Sequence, residues 1–323
     1  MGGFAVDIDW SADPGRDVID AMADAMAYRG PAGVRVASLG AGDVAEARLH
    51  RDGSAGWEIA RLGSMALVGD LRLWSTGDLC SLAPTGVVDQ RMLVLHGFAA
   101  LGPRVMDLID GDFTFAIWDT DHRALYAARD RIGVKPLWLQ QTGTGIRLAS
   151  TTAQLIAASP GPPQPDSLSV ARFLADDVPY DDRSFYVGIT RLMPSHTILA
   201  TEAGNRTDRY WDVTEVEERP IDPADIPDQF REHLTDAVRR RLSASTRTVS
   251  HLSGGLDSSS IAASAQLLTP HELDPTAFVT ASAIVPGPES DESVWIDAIV
   301  AGQPFEHRDF VPRIGPIDDY VED

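Results

Sequence analysis

Residues 253–259 read Ser-Gly-Gly-Leu-Asp-Ser-Ser, and this heptapeptide indicates the fold of the chain more directly than any other stretch. A β-like run over residues 246–252 precedes it, and an apolar helical pattern begins shortly after it at Ile261. A strand, a Gly-Gly turn and a helix N-terminus form an anion site, because glycine lets a ligand approach the backbone and unpaired helical N–H groups point at it. The heptapeptide therefore predicts a phosphate-binding turn in an α/β domain.

The side chains of the heptapeptide suit a phosphate group with a bound cation. Ser253, Ser258 and Ser259 offer hydroxyl donors, and Asp257 is placed to hold a divalent cation against phosphate oxygens. A Walker loop is excluded, since it requires Gly-x4-Gly-Lys-Ser/Thr and no lysine lies nearby. The alternative that needs no ligand is a Gly-rich turn with a capping side chain.

Composition and charge exclude several classes of partner. A chain of 323 residues has room for two domains with sizeable cores. Its net charge of −21 argues against binding to a nucleic-acid backbone or an anionic membrane. Its apolar runs are too short to span a bilayer, and its first residues do not form a signal peptide. With Cys80 as the only cysteine there is no internal disulfide, and we expect a cytoplasmic protein.

The first part of the chain has the pattern of an antiparallel β domain. Residues 112–118 alternate, which places Phe113, Phe115 and Ile117 on one face of a strand. Other predicted strands cover 3–8, 65–74, 124–128, 136–140 and 146–150, and predicted helices cover 18–28 and 90–101. Such meanders with few helices predict a layered α+β domain.

A second domain follows the acidic, Pro-punctuated stretch 212–228. An amphipathic helix over 230–242 leads to the heptapeptide, then to an apolar run over 277–285 and a helical pattern over 292–301. This alternation predicts a parallel sheet. We therefore divide the chain into domains 1–212 and 213–323.

Several motifs together resemble the asparagine-synthetase-like amide ligases. Residues 111–119 (Gly-Asp-Phe-Thr-Phe-Ala-Ile-Trp-Asp) and 129–137 (Arg-Asp-Arg-Ile-Gly-Val-Lys-Pro-Leu) resemble two signatures of that family. Residues 191–196 and Tyr210-Trp211 resemble later landmarks, and the heptapeptide resembles the pyrophosphate-binding loop of ATP pyrophosphatases. The resemblance implies an α+β glutaminase-like sandwich of the N-terminal-nucleophile type, followed by a truncated α/β parallel sheet of the ATP-pyrophosphatase (adenine nucleotide alpha-hydrolase-like) type.

The resemblance also implies a set of ligand-binding residues. ATP would contact Leu252, Ser253, Gly254, Gly255, Asp257, Ser258, Ser259 and Ser282, and Asp257 would bind Mg²⁺. Asp291-Glu292 resembles an acidic pair of the family, but a helix cap followed by a first-turn acid is the favoured interpretation. His307 matches a further landmark, although a lone histidine is usually structural.

The glutaminase residues of the family are replaced in this sequence. Gly2 stands where complete members have the cysteine nucleophile, and residues 69–73 stand where they have an Asn-Gly-Glu run. Cys80 lies inside the chain and has no free α-amine to act as the base. We therefore expect a domain that keeps the fold and has lost glutaminase activity.

An amide ligase without a glutaminase needs another source of nitrogen. Lasso-peptide cyclases and β-lactam-forming synthetases use an amine of the same molecule as the activated carboxylate, which raises its effective concentration. Residues 182–189 resemble the lasso cyclases more, which implies macrolactam closure of a precursor peptide beside a leader-binding protein and a protease. The alternatives are an ammonia-using asparagine synthetase, a β-lactam-type ligase of a small amino-acid-derived substrate, and a non-catalytic binding protein.

The remaining catalytic residues implied by the resemblance would lie beyond Asp323. They include a second acidic metal ligand, a lysine for pyrophosphate release and the acceptor pocket. We expect a fragment, because a parallel sheet of two or three strands would leave an edge and faces uncovered.

Overall fold

The structure is a computed structural model that describes residues 2–11, 16–30, 32–47, 58–177, 180–242, 247–269, 272–284 and 292–312. The chain divides into two compact units, Met1–Glu217 and Glu218–Asp323. The boundary predicted between residues 212 and 213 lies in the same acidic stretch. Among the described helices, none combines the length and the apolar character that a bilayer crossing requires.

Two antiparallel sheets form the first unit. Their strands are β1 (Gly3–Asp9), β2 (Val34–Ser38), β3 (Gly42–Ala47), β4 (Ala60–Leu62), β5 (Met65–Ser75), β6 (Asp110–Asp119), β7 (Ala124–Arg129), β8 (Trp138–Gln141), β9 (Gly145–Ala149), β10 (Ile189–Arg191), β11 (His196–Thr201) and β12 (Gly204–Arg209). Within the described residues, one sheet has the order β10-β8-β9-β1-β3-β2 and the other the order β12-β11-β7-β6-β5-β4. The predicted antiparallel β domain is therefore confirmed.

Helices cover the outer faces of the two sheets. These are α1 (Arg16–Ala25) and α4 (Thr152–Ala157) on one sheet, and α2 (Gly77–Leu82) and α3 (Gln90–Leu101) on the other. A fifth helix, α5 (Ser167–Leu174), follows α4 in the chain. Alternation along β1 places Phe4, Val6 and Ile8 in the core between the sheets. The intervening Ala5 packs on the other side, in a cluster with residues of α1 and α4. A strand that is buried on both faces needs a layer on each side, which is why the sheets pair as a sandwich.

The same two-sided burial occurs on β6 of the second sheet. Phe113, Phe115 and Ile117 share a cluster with α2 and α3, so the predicted common face is confirmed. Ala116 and Trp118 alternate with them and lie in the core between the sheets.

The Arg-Asp-Arg motif lies where the chain crosses from one sheet to the other. The chain crosses from β7 to β8 directly after Arg129, and it crosses back between β10 and β11. The Arg129 guanidinium donates to the carbonyls of Gly133 at 2.9 Å and Lys135 at 2.7 Å in the first crossing. It also donates to the carbonyl of Leu192 at 2.7 Å in the second crossing. One side chain therefore ties both crossings together.

The buried side chain of Asp130 holds the turn between β7 and β8 in place. Its buried carboxylate accepts hydrogen bonds from the backbone N–H groups of Val134 and Lys135, each at 2.9 Å. Its carbonyl accepts from the N–H of Ser195 in the second crossing at 3.0 Å. Burial lowers the pKa of Arg129, and the adjacent Asp130 opposes that shift.

β12 forms an edge of the second sheet and is exposed along its whole length. It carries Arg206, Asp208 and Arg209 and pairs only with β11 among the described strands.

The second unit contains a parallel sheet, as predicted. Its elements are α6 (Ile226–Arg241), β13 (Thr248–His251), α7 (Leu256–Leu268), β14 (Phe278–Ala283), α8 (Ser293–Val300) and β15 (Glu306–Phe310). The described strands follow the order β13-β14-β15. Phe278 and Phe305 pack with Val238 of α6 and Leu268 of α7, so these helices cover one face of the sheet.

We expect Arg129→Lys to lower the free energy of unfolding by about 2–4 kcal/mol. A lysine ammonium is a single point and cannot reach three carbonyls, so buried acceptors lose their partners. Arg206→Lys is the matched control, because Arg206 is exposed and its one ion pair among the described residues is with Asp208; its effect should stay within about 0.5 kcal/mol. Urea unfolding of the three proteins checks this, and equal midpoints for both variants would contradict the role of Arg129.

Candidate functional site

The heptapeptide forms the turn between β13 and α7. Leu252 extends the pairing of β13 by one residue, since its N–H donates to the carbonyl of Ala281 at 2.8 Å. Gly254 then adopts a φ of 76°, in the left-handed region that favours glycine. α7 begins at Leu256, and Gly255 at the N-cap position provides no side-chain cap. The first-turn N–H groups therefore have no intrahelical acceptor and face the turn.

The two glycines are required for different reasons. A Cβ on Gly254 would lie 2.9 Å from the Cβ of Trp295 and 3.3 Å from the carbonyl oxygen of Glu292, so packing against α8 excludes a larger residue. Gly255 has an ordinary φ of −72°, and a Cβ there would meet only the Ser253 hydroxyl, at 3.4 Å. Nothing within the described protein explains glycine at position 255, and the open space beside it is what a phosphate group would use.

Two of the three predicted hydroxyl donors lie at the turn. The hydroxyls of Ser253 and Ser258 are 3.1 Å apart, and the Ser258 hydroxyl accepts from the N–H of Ser253 at 3.1 Å. The Ser259 hydroxyl is buried and has no hydrogen-bond partner among the described residues. Ser253 and Ser258 can therefore exchange their mutual bond for a ligand, whereas a Ser259 contact would require the side chain to turn outward.

Asp257 lies exposed in the first turn of α7. Within the described residues no group of three or more His, Cys, Asp or Glu side chains could hold a metal ion. A single carboxylate beside a phosphate turn fits Mg²⁺, which takes most of its ligands from phosphate oxygens and water. A magnesium site here would depend on the nucleotide.

Leu252 and Ser282 attach the turn to the sheet. The buried Ser282 hydroxyl donates to the carbonyl of Leu252 at 2.5 Å. The Leu252 side chain packs with Ala262 of α7 and Ile296 of α8. These contacts give both residues a structural role, and their predicted contact with ATP stays a prediction.

The interpretation of Glu292 as a first-turn acid of a capped helix is wrong. Glu292 occupies the N-cap position of α8 itself, and its side chain makes no capping hydrogen bond. Its carbonyl accepts from the N–H groups of Trp295 and Ile296. Asp291 lies outside the described residues.

His307 makes structural contacts, as expected for a lone histidine. Its ring contacts the Thr280 hydroxyl at 2.9 Å and the Asp309 carboxylate at 2.8 Å. Asp309 and Gln303 also belong to this group, and neither was predicted from the sequence. The His-x-Asp spacing on a strand is a signal for it, because residues two apart share a face.

The N-terminal strand of the first unit begins without a nucleophilic side chain. Gly2 precedes β1, which starts at Gly3, and the carbonyl of Gly2 accepts from the Arg29 side chain at 3.1 Å. Cys80 is exposed on α2, in the helix layer over the second sheet, whereas β1 belongs to the first sheet. Asp70, in the replaced Asn-Gly-Glu region, forms a 2.8 Å ion pair with Lys135.

Two protein-family models match parts of the chain. A glutamine amidotransferase domain model matches residues 89–211, and an asparagine synthase model matches residues 229–314. Glutamine-hydrolyzing asparagine synthetase 3 of Bacillus subtilis is 30% identical over 172 residues, or 53% of this chain and 28% of the relative. Asparagine synthetase 2 of the same organism is 26% identical over 277 residues, or 76% of this chain and 35% of the relative.

The solved structures add a weaker likeness. The Bacillus subtilis glutamine phosphoribosylpyrophosphate amidotransferase complexed with ADP and GMP matches all of this chain and 70% of its own, with 14% identity and a TM-score of 0.47. That likeness does not bear on function.

The two models match in the order that the sequence motifs predict, an amidotransferase domain followed by an asparagine synthase domain. The chain is similar to asparagine synthetases by these matches. The chain spans about a third of the length of the curated relatives it matches.

We expect Gly254→Ala to destabilise the second unit by about 1–3 kcal/mol, because alanine at this φ is strained and its Cβ would press on Trp295. Gly255→Ala is the matched control and should change the free energy of unfolding by less than about 0.5 kcal/mol. Thermal or urea unfolding measures both. A neutral Gly254→Ala would mean that the turn does not have this conformation.

Proposed function

We propose that the protein binds ATP at residues 253–259 and uses it to activate a carboxylate as an acyl-adenylate, releasing pyrophosphate before an amide bond forms. The observation that carries this proposal is the open space beside Gly255 at the start of α7. The asparagine synthase match over residues 229–314 includes that turn and supports the same activity.

Different residues of the turn would bind the phosphates, bind the magnesium ion and hold the turn in position. The N–H groups at the start of α7 and the hydroxyls of Ser253 and Ser258 would bind phosphate oxygens. Asp257 would hold Mg²⁺, which neutralises negative charge as pyrophosphate leaves. Ser282 would keep the turn in place through the Leu252 carbonyl.

We further propose that the amine comes from the substrate itself and not from glutamine. Gly2 and Gly3 offer no nucleophile at the start of β1, and the one thiol, Cys80, lies in the helix layer of the other sheet. An intramolecular amine would attack the adenylate at high effective concentration. The resemblance of residues 182–189 favours closure of a peptide macrolactam, between an N-terminal amine and an Asp or Glu side chain.

A cytoplasmic enzyme of this kind would receive its peptide from a leader-binding protein and a protease. The second candidate is an asparagine synthetase or another small-molecule ligase that uses ammonia. The named relatives are asparagine synthetases, which favours this candidate as a small-molecule alternative.

Nucleotide product analysis on the whole protein separates these proposals. Under the main proposal, AMP and pyrophosphate form only with a leader-processed peptide that has a free N-terminal amine and an acidic side chain. Aspartate with ammonia should drive AMP formation under the second candidate. Production of ADP would overturn both, and glutamate release from glutamine would restore a glutaminase. A protein that makes no AMP with any acceptor would be a binding protein.

We expect Asp257→Asn to weaken magnesium-dependent ATP binding roughly tenfold and to leave magnesium-free binding almost unchanged, since a single ligand charge is lost. Gly255→Ala should weaken binding in both conditions, because its Cβ would occupy the space beside the phosphates. Asp297→Asn is the control, an equal change of charge on exposed α8. Calorimetric titration with ATP measures all three, and native affinity in both turn variants would place the phosphates elsewhere.

A further inference from the structure

A hydrogen-bonded chain of four side chains links β14, β15 and the segment before β15. Gln303 Nε2 donates to Thr280 Oγ1 at 2.9 Å, and Thr280 Oγ1 lies 2.9 Å from His307 Nδ1. His307 Nε2 lies 2.8 Å from a carboxylate oxygen of Asp309. Thr280 is fully buried and the His307 ring is 12% exposed, so the chain runs from the interior to the surface.

Of the two neutral tautomers of the ring, one satisfies every contact. The Asp309 carboxylate only accepts, so His307 Nε2 carries the hydrogen. His307 Nδ1 is then an acceptor, and the Thr280 hydroxyl donates to it. The Thr280 oxygen keeps a lone pair for the amide of Gln303. The histidine is therefore held in one tautomer and one orientation.

The register of the sheet connects these four hydrogen-bonded side chains to the turn at residues 253–259, called the phosphate turn below. Thr280 is paired with His307, and Ser282 is paired with Asp309 two residues farther along the parallel strands. The Ser282 hydroxyl donates to the carbonyl of Leu252, the residue directly before the turn. Displacement of β14 against β15 at Thr280 would therefore move Ser282 and, with it, the entry to the turn.

We propose that His307 is a positioning residue for the phosphate turn. The hydrogen bond between His307 and Thr280 fixes β14 against β15. Ser282 of β14 then holds Leu252 in place through its hydrogen bond to the Leu252 carbonyl. The fully buried Thr280 hydroxyl is inaccessible to a ligand, which excludes a nucleophilic role for this Thr-His-Asp arrangement. The inference rests on the proposed binding of ATP at residues 253–259.

Two nearly isosteric substitutions separate the contacts of the ring. His307→Asn keeps an acceptor near the Nδ1 position and loses the donor to Asp309. His307→Gln keeps a donor near the Nε2 position and loses the acceptor for Thr280. We expect ATP and pyrophosphate to bind His307→Gln at least tenfold more weakly, and His307→Asn within about threefold of the native protein. His233→Gln is the control, since His233 is exposed on α6.

Hydrogen exchange and ring ¹⁵N spectra give readouts that do not require ATP. In His307→Gln the amides of residues 252–255 should exchange at least tenfold faster, while those of α6 keep native rates. The native ring should show the Nε2–H tautomer. Native turn exchange in His307→Gln, or equally weak binding by both variants, would overturn the inference. A native protein that binds no ATP but shows the expected exchange pattern would refute the proposed function alone.

Discussion

The arrangement of the first unit depends on the three hydrogen bonds that the Arg129 guanidinium donates to backbone carbonyls. A two-sheet sandwich in one chain needs places where the chain passes between layers, and there backbone carbonyls lose their ladder partners. Arg129 supplies donors to both crossings at once, with a planar fork that suits several acceptors. Tyr210 adds to this by donating to the Arg129 carbonyl at 2.8 Å, and burial raises the pKa of its phenol. Arg129 and Asp130 of the Arg-Asp-Arg signature thus have an architectural role.

Local sequence patterns predicted the elements that carry their own signals. Large side chains recur at every second residue of β6, and α3 lies between the capping residue Asp89 and Gly102. β12 and β15 were missed, since both are rich in charged residues and owe their extended form to pairing with β11 and β14. Whether these two strands form depends on a partner strand, and the residues of one short sequence segment do not reveal that partner.

The candidate site shows the same division between local and distant information. The turn at 253–259 was predicted because a strand, two glycines and a helix are consecutive in sequence. The different requirements at Gly254 and Gly255 could not be predicted, since the first depends on Trp295 of a later helix. The partners of His307 likewise come together only through the register of β14 and β15. Sequence therefore located the turn, and tertiary contacts show which of its residues pack against the rest of the unit and which face open space.

The exposed edge of the second sheet has a consequence for how this protein behaves among other chains. A bare strand edge offers a template on which a foreign strand can grow, and long flat edges of this kind seed aggregates. On β12 an incoming strand would have to strip water from two arginines and an aspartate before its first backbone bond could form. The charged residues that make β12 unlike a typical strand sequence also protect the sandwich from unwanted strand addition.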